Sequence, residues 1–184
     1  MSNSFFNDSF PTLPHPVLKA EDIEKSMFPM PHWRNPNALR KTTCLSDKVG
    51  MANTGVAVHK SSLGPNIEST AIHYHLSNTE WIYILSGSAI LQLVDASLPI
   101  LNPFQPASQV QGTERGDFIG FPGGVGASRY AHGLKAGEEG CEYLVGGDRG
   151  GSGVTHYPLA NASDIWERSK DGKFTVASAP NGSQ

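Results

Sequence analysis

Residues 73–80 read His73-Tyr74-His75-Leu76-Ser77-Asn78-Thr79-Glu80. In a strand, successive side chains alternate faces, so His73 and His75 point the same way and their imidazoles can share one metal ion. Glu80 follows the Leu76–Thr79 turn and can return a carboxylate to the same face. Two nitrogens and one oxygen suit a single divalent ion of iron, manganese, nickel, copper or zinc.

Outward from this stretch, strand signals dominate. TGVAVHK (54–60) and STAIHYHL (69–76) alternate, and the second is rich in β-branched and aromatic residues. EWIYIL (80–85) and SAILQLV (88–94) flank Ser86-Gly87-Ser88, which reads as a hairpin turn. DFIGFP (117–122) leads into the glycine-rich GGVGASRYAHG (123–133) and a returning strand, and GCEYLVGGD (140–148) forms another. VLKAEDIEK (17–25) reads as a strand start with one helical turn, and FPMPHWRNPN (28–37), with three prolines, excludes regular helix. Residues 150–174 read as mostly irregular, wrapping the rest. No apolar stripe of helical period runs beyond about three turns. The expectation is an all-β sandwich or barrel. Residues 1–16 form an arm, 17–175 one domain and 176–184 a loose tail.

Composition agrees. The chain has 184 residues, enough for one domain with a core, and its 20 glycines and 13 prolines suit short strands and tight turns. A formal net charge of −3 offers no basic excess for a phosphate backbone, so nucleic acid is not an expected partner. No run of about 18 apolar residues is present, so no membrane span is expected. The start lacks the basic and apolar regions of a signal peptide, which makes cytoplasmic the expected location. Cys44 and Cys141 have no CxxC spacing and are expected as free thiols in that compartment. The glycine clusters GGVG and GGDRGGSGV carry neither GxGxxG nor GK[ST] and do not read as phosphate loops.

At this point the sequence resembles the cupin superfamily. Its first motif is HxH, four residues, E, six residues, G; here His73, His75, Glu80 and Gly87 fit without a gap. Its second motif begins G, five residues, PxG; here Gly116, Pro122 and Gly124 fit. The resemblance spans about residues 17–175 and is to small single-domain metal-binding cupins. It implies a double-stranded β-helix, or jelly roll, and a fourth metal ligand at His132. The chain departs from the pattern in several places. Gly64 lies nine residues before His73 rather than six, Ala127 stands where the second-motif histidine is expected, and Ala136 replaces the closing asparagine. His132 comes eight residues after Gly124, behind an insert that similar small cupins share.

Alternation from Glu80 turns Ile82 and Ile84 inward with it and Trp81, Tyr83 and Leu85 outward. His59 is a candidate substrate contact facing the interior. Arg129 and Tyr130, just before His132, are candidates to meet an anionic or carbonyl-bearing substrate at the mouth. Glu142 is a candidate partner for a ligand imidazole. His15, His32 and His156 read as surface residues beside prolines. A metal site of this kind implies an enzyme acting on a small carbonyl-, enol- or carboxylate-bearing metabolite. Oxygenase chemistry and non-redox isomerase, lyase, cyclase or decarboxylase chemistry are both open. The alternative is a non-catalytic small-molecule-binding module. Phe5, Phe6 and Phe10 make the arm apolar and motivate a homodimer.

Overall fold

The β-branched and aromatic run that begins at Glu80 does not turn back at Gly87. It continues as one 15-residue strand, β5 (Glu80–Val94). In the computed structural model, which describes residues 14–52, 54–97, 109–169 and 174–180, β5 pairs along most of its length with the 18-residue β8 (Ala131–Asp148). The expected hairpin at 86–88 is therefore corrected to a bulge. The register shifts on both sides of Gly87, whose φ is +70°. A Cβ there would run into the carbonyl oxygen of Gly140, itself at φ +81° on β8. Two glycines facing each other let two long strands bend together without parting.

Around this pair the chain builds two antiparallel sheets. The larger runs β1 (Phe28–His32), β2 (Asn35–Cys44), β3 (Val56–Leu63), β8, β5 and β6 (Gln109–Glu114), with β7 (Phe118–Phe121) also on β5. The smaller runs β11 (Phe174–Pro180), β10 (Ala162–Arg168), β9 (Ser152–Tyr157) and β4 (Tyr74–His75). Pro29 and Pro31 sit in β1, an edge strand, where a missing N–H is tolerated. AEDIEK does form helix α1 (Ala20–Ser26), with no strand before it; α2 (Leu45–Lys48) is a single turn. The largely irregular wrap expected over 150–174 is corrected: VTHY and SDIW alternate, and they form β9 and β10. Strand β11 continues to Pro180, into the stretch assigned to the tail. Phe5, Phe6 and Phe10 of the arm lie outside the described residues.

The core is Leu63, Ile82, Ile84, Leu91, Phe121, Leu134 and Tyr143, drawn from β3, β5, β7 and β8. Ile82 and Ile84 are inside as alternation requires, and Tyr83 is exposed. Burying side chains of this size contributes about 1.5–3 kcal/mol each. Among the described residues no helix is long and apolar enough to cross a membrane.

Candidate metal centre

STAIHYHL is not the continuous strand its alternation suggests. It crosses from one sheet to the other, and that crossing builds the site. His73 makes an isolated bridge to His132 at the start of β8, with His73 N–H donating to the His132 carbonyl at 3.1 Å and the reverse bond at 2.8 Å. Two residues later, His75 pairs with Thr155 in the opposite sheet. Glu80 opens β5. The turn between them is held by the second motif: Gly124 N–H donates to the Leu76 carbonyl at 2.7 Å, and a Cβ on Gly123 would come within 2.5 Å of the Ser77 carbonyl oxygen. The glycines after Pro122 thus let two motifs pack backbone to backbone.

His73, His75 and Glu80 each offer a ligating atom within 4.8 Å of the others. The Nε2 atoms of His73 and His75 lie 3.2 Å apart, and His75 Nε2 lies 3.1 Å from Glu80 Oε2. His132 joins through its Nε2, 3.3 Å from Glu80 Oε1, and its ring centroid is 4.9 Å from that of His73. The ring of Phe121 stacks flat on His132 at 3.5 Å.

The outer ring nitrogens fix what the inner ones can do. His73 Nδ1 faces the Ala71 carbonyl at 3.0 Å, and His132 Nδ1 faces the Tyr130 carbonyl at 3.0 Å. A carbonyl only accepts, so each Nδ1 carries the proton and each neutral Nε2 presents a lone pair inward. His75 Nδ1 meets the Thr155 hydroxyl at 3.1 Å. The inward lone pairs of His73 and His132, the His75 Nε2 and the Glu80 carboxylate converge on one point, where a cation would be met by all four. The donor set therefore fits a metal ion. Burial first, and then neighbouring His75 and His132, push the His73 imidazole well below its usual range. Burial works to raise the Glu80 carboxyl, but the His132 and His75 imidazoles facing it outweigh that and hold the group well below the carboxylate range. Glu142 does not support a ligand; it lies 3.6 Å from Lys60 instead.

The site opens into a cavity of about 640 Å³ lined from both sheets. His59 lines it. Arg129 and Tyr130 do not; they are exposed on a short 3-10 turn, with the guanidinium 5.6 Å from the Tyr130 ring. His32 corrects the sequence reading: it is buried, stacked at 4.6 Å on Trp33, and faces the cavity. Burial and the Arg40 charge lower its pKa to about 4. His156 is also partly buried, its Nδ1 2.7 Å from the Ser163 hydroxyl. Across the cavity Asp164 binds Arg34, Trp33 Nε1 at 3.1 Å and the Ser178 hydroxyl at 2.6 Å. Burial alone would raise that carboxyl, but these bonds bring it down to about 2. Sequence reasoning missed Arg40, Thr155, Tyr157 and Asp164. The last three alternate inward along VTHY and SDIW, a signal present in the chain. Cys44 and Cys141 are both free.

No protein-family model and no curated protein matches the chain. Solved structures do match. One, named "Putative sugar phosphate isomerase", comes from Acidithiobacillus ferrooxidans. It is 26% identical, with a TM-score of 0.68, over 88% of this chain and 90% of that one. A second, a sugar phosphate isomerase from a cupin superfamily, comes from Silicibacter pomeroyi. It is 20% identical, with a TM-score of 0.57, over 75% of each chain.

The chain has the cupin fold.

A Bacillus subtilis oxalate decarboxylase also aligns, at 23% identity over 62% of this chain and 26% of that one, but its TM-score of 0.43 carries no argument. Within this fold the first motif supplies both faces of the candidate metal site, and the second supplies the glycine buttress behind it.

Proposed function

We propose that this cupin is a metal-dependent enzyme whose single divalent ion would be held by His73, His75, Glu80 and His132. The observation that carries the reading is the set of converging Nε2 atoms, 3.2 Å apart at His73 and His75, with their outer nitrogens committed to other partners. When bound, the ion supplies Lewis acidity toward a carbonyl or enolate oxygen, or an open position for dioxygen. The protein's own groups do the rest. Phe121 and the buried aliphatics keep water from the inner wall, and His59 faces the cavity as a substrate contact. Glu80, were it to leave the ion, is the carboxylate placed to take up a substrate proton beside the ligand imidazoles. Arg129 and Tyr130 stay candidates only for the outer approach, being exposed and outside the lining.

Between the two reaction classes, non-redox isomerase chemistry on a carbonyl-bearing metabolite is the better supported. Similarity to the Acidithiobacillus protein over nearly its whole length favours it. In such a reaction a proton leaves the carbon next to a carbonyl and one returns at the former carbonyl carbon. The cavity volume of about 640 Å³ accommodates a metabolite of that size. Metal-loaded protein should therefore wash deuterium from D2O into the carbon beside the carbonyl of a sugar phosphate, read by NMR. Oxygen uptake on the same panel, with no deuterium incorporated, would support the oxygenase reading instead.

A further inference from the structure

The arginines lining the cavity are not equally neutralised. Arg149 is paired with Asp47, and Arg168 lies 4.0 Å from Asp47. Arg40 also lines the cavity, yet among the described residues it has no carboxylate within ion-pair distance. Its hydrogen bonds go to the Ser69 carbonyl at 2.9 Å and to Met30 Sδ at 3.2 Å, neither of which carries charge. A guanidinium has five N–H donors, so most of its fork stays open. Its charge is felt by His32, Tyr143 and Tyr157, all cavity residues, and Tyr143 also feels the Glu80 carboxylate. A half-buried cation without a counter-ion is costly in a folded protein unless something else completes it.

We propose that Arg40 is the anchor for an anionic group of the substrate, a carboxylate or a phosphate ester, gripped while the rest of the molecule reaches toward the metal cluster. Two further features on the page suit this role. His32 Nδ1 accepts the Arg34 backbone N–H at 3.2 Å, which leaves its Nε2–H as a neutral second donor on the same cavity wall. The planar fork also matches two oxygens of a carboxylate or phosphate, which a lysine cannot do. The anchor deepens the reading of the cavity as a substrate site, but it does not need the metal to bind an anion.

The test is calorimetric titration with inorganic phosphate and, separately, succinate. It uses wild type, Arg40→Gln and Arg40→Lys, each chelator-treated and each reloaded with zinc. Wild type should bind at least one probe in both forms, and whichever binds more tightly names the anion class. Arg40→Gln should weaken that binding about tenfold or more, and Arg40→Lys should fall between. Equal affinity in wild type and Arg40→Gln would overturn the anchor, as would no binding of either probe to wild type. So would a lowered unfolding temperature with unchanged affinity, because that marks Arg40 as a strut for the Ser69 carbonyl. Where Arg40→Gln does not fold, Arg40→Lys is decisive: affinity equal to wild type refutes the fork. Anion binding that depends on Arg40 in a protein that takes up none of zinc, manganese, iron, nickel or copper would sink the metalloenzyme reading and leave the anchor standing.

Discussion

His32 shows how much a single buried imidazole can do to this protein. Its folded pKa is about 4 against an ordinary 6.5, so between those values the unfolded chain binds more protons than the folded one. Stability then falls as pH drops from about 6.5 to 4, and the linked loss is about 3 kcal/mol at full shift. In chelator-treated protein, urea unfolding at pH 7 and pH 4.5 should show a smaller acid loss in His32→Gln than in wild type. The same loss in both would contradict the placement of His32. The residue escaped sequence reading because a histidine between prolines resembles a loop residue; only the fold of β1 over the cavity buries it. The candidate metal ligands are more legible. Alternation and one unbroken spacing fix His73, His75 and Glu80 within a few residues of each other. His132 is brought in by a long-range bridge that spacing alone does not reveal.

Among the elements, the β5–β8 pair was the hardest to read. Ser86-Gly87-Ser88 carries turn chemistry, and a local reading makes it a hairpin. What decides against that is the pairing with β8, fifty-odd residues later, whose Gly140 carbonyl packs against Gly87 where the register shifts into a bulge. Gly87→Ala is strained twice, by its φ of +70° and by the Gly140 carbonyl. It should lower unfolding free energy by about 2 kcal/mol or more. A loss below about 0.5 kcal/mol would show that the bulge is not needed. The strands over 150–174 are masked in the sequence for a related reason. They are short, the turn that joins β9 to β10 runs through Pro158 and Asn161 at φ 45°, and the other partner of β9, β4, lies far back in the chain.

For the molecule as a whole, two sheets enclose a polar, metal-suited centre inside an apolar shell, and the outer face keeps apolar side chains. Tyr83 and Phe118 are exposed opposite each other on β5 and β7, with Trp81 stacked 6.1 Å from Phe118. We propose that the chain is a homodimer in which the arm, with Phe5, Phe6 and Phe10, takes part. Removing residues 1–15 should shift the light-scattering mass toward the monomer; an unchanged dimer would remove the arm from the interface. Protein purified without added metal and then reconstituted should hold about one divalent ion per chain by elemental analysis, and His75→Ala should lose most of it. Less than about 0.2 equivalents in reconstituted wild type, or full occupancy in His75→Ala, would contradict the account.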